Sequence, residues 1–235
     1  MVFPEVKPWP PNLNGWRPAC NVPMEGVWPI AVTDLPAARA GNARWRMIGG
    51  NSRRHDVATT IEEVVGFWRQ AGMQAWFNGD AGFDRECEAR FLDAHLVAAR
   101  RGHEDWRETA EGALALLVLL DQIPRNVFRG TGHAFATDGL ARHYAEAALQ
   151  AGHDRTVEPE LRAFFYMPFE HSEDLADQRR AVELFEGLGN EVYTKYAIAH
   201  QEVIERFGRF PHRNRALGRQ STPEEQAWLD AGGGF

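Results

Sequence analysis

From Thr59 onward apolar residues recur every three or four positions, and each run is bounded by residues that start or stop helices. Thr60 and Glu63 have capping-box spacing ahead of Ile61, Val64, Val65 and Trp68, which predicts a first helix. A second spans about Asp84 to Arg101, with Phe83, Cys87, Phe91 and His95 near one face and Gly102 ending it. A third carries the most apolar run of the chain, Ala113 to Leu120. It is expected to stop near Pro124, where a missing N–H and a bulky ring oppose continuation. A fourth covers about Ala136 to Gln150 with Gly152 closing it, and Glu158-Pro159 opens a fifth. Ser172 is the expected cap of a sixth, with Glu173 and Asp174 complementing the dipole of its first turn. The seventh has the clearest pattern. Asn190 caps it, Gly208 stops it, and Tyr193, Tyr196, Ala197, His200, Val203, Ile204 and Phe207 form one stripe. Thr222, Pro223 and Glu225 supply a cap, a first-position proline and a capping box for an eighth. No comparable run alternates with period two. The expected fold is all-α: seven or eight helices stacked as antiparallel pairs, with no clean repeat of fixed period.

Before residue 57 the pattern fails. Eight of the 13 prolines lie between Pro4 and Pro36, alongside Trp9, Trp16 and Trp28, and proline at this density sustains neither helix nor sheet. Residues 1–56 are therefore expected to be a poorly structured extension that adds little stability, and 57–235 the helical domain. Met47 stands as an alternative beginning of the chain. Composition narrows the rest. With 44% hydrophobic and 25% charged residues the chain is an ordinary globular one, and its net charge of -7 opposes general nucleic-acid binding. The run from Ala113 to Leu120 is far shorter than the ~20 apolar residues needed to span a bilayer. Two cysteines, Cys20 and Cys87, make no disulfide framework. With no secretory signal pattern at the start, they point to a reducing, cytoplasmic setting and no membrane partner.

Three segments carry more polar chemistry than helix packing requires. They are Asp121 to Arg129 after the most apolar helix, His171 to Asp174 after an aromatic stretch, and Phe207 to Arg219. Asp121-Gln122-Ile123-Pro124-Arg125-Asn126, His171-Ser172-Glu173-Asp174 and the run from Phe207 to Asn214 resemble the signature segments of domain-of-unknown-function family 924. Trp76-Phe77, Phe83-Asp84 and the Leu-Gly-Arg-x-Ser-Thr-x-Glu-Glu pattern at 217–225 agree with it. The resemblance covers about residues 60–230 and leaves residues 1–56 without a counterpart. Arg69 stands where the family usually has a second aromatic. It implies a tetratricopeptide-like helical fold in a bacterial protein and brings no established activity.

Arg125, Arg129, Arg209, Arg213 and Arg219 against Asp121, Glu173 and Asp174 leave positive charge over. Arginine suits carboxylate or phosphate through bidentate geometry, so the surplus would meet an anion. The leading expectation is a binding module for an anionic small molecule or peptide carboxylate. Its site would combine Asp121, Gln122, Arg125, Asn126, Arg129, His171, Ser172, Glu173, Arg209, His212, Arg213, Asn214 and Arg219 in one cleft. The alternative is a hydrolase with His171 or His212 as general base and Glu173 as partner or acid. A third possibility is a scaffold whose charges all pair internally. A metal would recruit His171, Glu173, His200 and His212, but no ligand motif supports one, and no cofactor class is implied. His200 lies within the apolar stripe and is assigned to the core.

Overall fold

The computed structural model describes residues 59–235. The expected extension over 1–56, Cys20 included, lies outside the described residues. Among them there is no strand. In chain order the helices are α1 (Ile61–Phe77), α2 (Ala81–Ala99), α3 (Ala110–Leu117), α4 (Ile123–Val127) and α5 (Asp138–Ala151). α6 (Pro159–Glu170), α7 (Leu175–Leu188), α8 (Glu191–Phe207) and α9 (Pro223–Asp230) follow. The caps are the expected local chemistry. Thr60 with Glu63 and Thr222 with Glu225 close capping boxes, Asn190 accepts from two amides of α8, and Gly152, Gly189 and Gly208 end their helices left-handed. At α7 the cap is Asp174 rather than Ser172. The Ser172 hydroxyl instead accepts from the Asp174 amide and donates to Asp177.

Ala113 to Leu120 and Ile123 form the centre of the core, each at most 1% exposed. Each buried leucine there contributes about 1.5–3 kcal/mol through apolar area removed from water. α1, α5 and α6 pack around α3, α2 packs on α4, and α6, α7 and α8 follow one another as packed hairpins. Gly112 is required where α3 meets the preceding turn, because a Cβ there would lie 2.0 Å from the Trp106 carbonyl oxygen. Gly112→Ala is expected to cost about 1–3 kcal/mol by overpacking, read as a lower urea midpoint. An unchanged midpoint would show that this contact yields.

The expected stop at Pro124 does not occur. α3 passes into α4 through a π-helical turn, Val118–Gln122, in which the Ile123 amide bonds the Val118 carbonyl. Pro124 has no N–H to give the Leu120 carbonyl, and the Thr137 hydroxyl donates to that oxygen instead. His95 Nδ1 bonds the Leu119 carbonyl at 2.8 Å, and Arg125 donates to that of Asp121 at 2.6 Å. Side chains from elsewhere thus satisfy the carbonyls that the wider turn and the proline release. Pro168 likewise sits inside α6, which runs on to Glu170. Pro211, by contrast, opens a new element, a short 3₁₀ turn Pro211–Arg213.

Candidate functional site

The π turn points Asp121 inward, 1% exposed, at the end of α6. His171, the C-cap of α6, places Nδ1 2.8 Å from Asp121 Oδ1. Arg125, one turn after Asp121, lies 3.2 Å from the same oxygen and bridges to both oxygens of Asp138, the first residue of α5. Arg213 donates to the His171 carbonyl at 3.0 Å and reaches Asp138 at 3.4 Å. Its guanidinium lies 4.5 Å from the Phe135 ring centroid and 4.4 Å from that of Phe210. Burial would push the Asp121 carboxyl up, but Arg125, His171 and Gln122 hold it at about 2. An ionised Asp121 requires the proton of His171 on Nδ1, which leaves Nε2 an acceptor. Burial, with Arg125 nearby, keeps this imidazole neutral against the pull of Asp121.

A second layer follows. His200 is buried in the stripe of α8 as expected, with Nδ1 2.8 Å from the Tyr196 carbonyl and 3.3 Å from Glu170 Oε1. Burial lowers His200 well below the usual histidine range and pushes Glu170 up to about 8, so both are neutral at pH 7. The His171 and His200 rings are 6.3 Å apart. Phe235 stacks on His200 at 3.6 Å and stands edge-on to Phe210 and His212. Burial, with Arg213 beside it, lowers His212 to about 3. Four buried polar atoms of this region have no hydrogen-bond partner: Gln178 Oε1, Tyr193 Oη, His212 Nδ1 and Arg213 Nε.

The three polar segments therefore converge, but as a packed junction rather than an open cleft. Open depressions of about 420 and 450 Å³ lie along α7 and α8 instead, lined by residues such as Glu186, Lys195 and Ile198 in one and Met73, Glu160 and Tyr193 in the other. Tyr193 is common to the second depression and the set of unpartnered groups. Several expected site residues belong elsewhere. Arg129 and Asn126 bond Asp84, and Arg209 pairs with Glu225. Asn214 donates to Glu225 and Ser221 and accepts from Arg219. Glu173 is not the partner of His171. It accepts from Arg219 and from the Phe210 amide, and so ties the loop after α8 to the start of α7. Gln122 donates to Asp121.

The expected charge surplus is also overturned. Arg125, Arg129, Arg209, Arg213 and Arg219 face Asp84, Asp121, Asp138, Glu173 and Glu225, and every one of the five arginines is ion-paired. Asp138, Glu170 and Phe235 carry no signal in the sequence that points to this junction, and Tyr193 reads there only as part of the α8 stripe. Asp138 there looks like an ordinary first-turn acid, and only the three-dimensional approach of Arg125 and Arg213 gives it a role. Among the described residues no group of three or more histidine, cysteine or carboxylate side chains is placed to hold a metal ion. No described helix is long and apolar enough to cross a membrane.

Comparison with known proteins agrees with this architecture. A solved protein of unknown function from Agrobacterium tumefaciens is 51% identical, with a TM-score of 0.71 over 72% of this chain and 96% of that one. No curated protein matches the chain. Residues 64–233 match the model of a family described as bacterial protein of unknown function, DUF924. That match takes in α2 through α9, the convergent histidines and both of their carboxylate partners, and the chain belongs to this family.

Proposed function

We propose that the protein is a binding module for a small organic carboxylate, held at the Arg213–His212 end of the buried junction. The observation that carries this is the Arg213 guanidinium. It is 6% exposed, sandwiched between two aromatic rings and ion-paired through Nη1, yet its Nε–H is unpartnered, as is His212 Nδ1. A buried donor left unmatched is costly, and a carboxylate oxygen is a strong charge-assisted partner for it. The other four arginines are closed by their ion pairs, which narrows the anion site to this residue. The stacking of α6, α7 and α8 as successive hairpins supports a tetratricopeptide-like arrangement. One observation favours a hydrolase instead. Asp121 fixes His171 in the tautomer a general base needs, with Nε2 unprotonated.

A panel of monocarboxylates, dicarboxylates and phosphates, screened by thermal shift on the wild-type chain and on Arg213→Lys, tests the module. Lysine keeps the charge and removes the Nε–H. A carboxylate at about 100 times its Kd should add about 2.7 kcal/mol, a rise of several degrees, in the wild type. Arg213→Lys should lose most of that rise. Equal responses of the two chains, or no response to any carboxylate, would sink the proposal.

A further inference from the structure

The aromatic ring of Phe235 lies in a slot whose walls come from three different parts of the chain. His200 of α8 forms the floor, stacked at 3.6 Å with 14° between planes. Phe210 and His212 form the sides, edge-on at 6.1 and 5.8 Å. The segment that carries Phe235 there is made of glycine for local reasons. Gly232 and Gly234 have φ of 86° and 142°, values that other residues rarely adopt. A Cβ on Gly233 would lie 2.3 Å from the Trp228 ring. The Gly232 amide bonds the Leu229 carbonyl and the Gly233 amide that of Trp228, and the Phe235 ring makes the contacts with the slot. The slot is thus aromatic and built, and its occupant hangs on a glycine tether. That occupant is hydrocarbon, whereas His212 beside it carries an unpartnered Nδ1, and the next residue, Arg213, stacked on Phe210, carries an unpartnered Nε–H. A phenyl ring satisfies the faces of the slot and leaves its polar edge unmatched.

We infer that Phe235 is a displaceable internal occupant of a site for an aromatic monocarboxylate, whose ring takes the place over His200 while its carboxylate meets Arg213 and His212. This rests on the carboxylate-binding proposal and adds the aromatic half of the ligand and the competition with Phe235. A single negative charge fits better than a phosphate dianion, because Asp121 and Asp138 stand close behind Arg213 and repel a second charge.

The probe is phenylacetate, titrated calorimetrically into the full chain and into Phe235→Ala, with acetate, cyclohexylacetate and toluene in parallel. An internal competitor lowers apparent affinity by the fraction of time the site is open, so Phe235→Ala should bind phenylacetate about tenfold or more tightly than the wild type. Acetate and cyclohexylacetate should bind that variant much more weakly. Adding Arg213→Lys to Phe235→Ala should weaken phenylacetate and leave toluene unaffected. Toluene binding as tightly as phenylacetate would mean simple cavity filling and overturn the inference. If carboxylates bind the wild type and Phe235→Ala equally well, the competition falls while the carboxylate site stands. If no chain binds any carboxylate, both fall together. Should Phe235→Ala fail to fold, Gly234→Ala keeps the ring and strains its tether, and must show a smaller gain of the same sign. No gain there would also overturn it.

Discussion

Asp121→Ala is expected to be the most damaging single change at the junction, lowering the free energy of unfolding by about 3–5 kcal/mol. The carboxylate is 1% exposed and serves three groups at once: His171 Nδ1, the Arg125 guanidinium and the Gln122 amide. Its removal leaves Arg125 buried with Asp138 alone and frees His171 to turn or take the other tautomer. The loss therefore comes mainly from stranded partners rather than from the worth of the pair itself. A domain of this size should melt roughly 10 °C lower. Arg206→Ala is the matching control, since its pair with Glu224 is exposed on both sides and such pairs contribute about 0–1 kcal/mol. Similar losses in the two variants, measured by urea titration, would show that Asp121 is no more than a surface-like acid.

Stability should peak near pH 6.5–7 and fall on both sides. Burial holds His171, His200 and His212 neutral in the native state, and His95 beside the Leu119 carbonyl behaves alike. Their folded values lie below the ordinary 6.5, so their contribution is whole above 6.5 and is lost as pH falls below it. Glu170 has the opposite sign. Its folded value, about 8, lies above the ordinary 4.5, so its contribution is whole below 4.5 and is lost as pH rises toward 8. Between 6.5 and 8 Glu170 acts alone, and stability declines gently with pH. Between 4.5 and 6.5 the histidines oppose Glu170 and outnumber it, so stability falls on acidification. Glu170→Gln should flatten the alkaline decline and steepen the acid one. A maximum at pH 5 or below, from urea midpoints across pH, would mean that the buried histidines accept protons in the folded chain.

The two predictions rest on the same geometric fact, that a π turn in the middle of the core brings one carboxylate to the end of another helix. π turns are common at functional sites because they re-aim a side chain without ending the helix. Here the turn releases carbonyls that His95, Thr137 and Arg125 take up, so the core tolerates the distortion.

The local text of the chain determined its helices. Capping boxes at Thr60 and Thr222, the Asn190 cap, the Gly152 and Gly208 stops and the stripe of α8 are all interactions within a few residues, and their chemistry is complete in the sequence. The polar segments were legible as unusual, because Asp121, His171 and Arg213 exceed what a surface turn needs. What the tertiary structure decided was partnership. Pro124 reads as a break because a proline removes a hydrogen bond, and only a side chain distant in sequence, that of Thr137, makes good that loss. Glu173 looked like the partner of His171 from two residues away, yet Arg219 and the Phe210 amide claim it. Five arginines looked like a surplus because the acids that neutralise them, Asp84, Asp138 and Glu225 among them, lie far off in sequence. Electrostatic pairing acts through space over a few ångströms, whereas helix signals act along the chain, and that difference in range separates what the sequence alone determined from what required the fold.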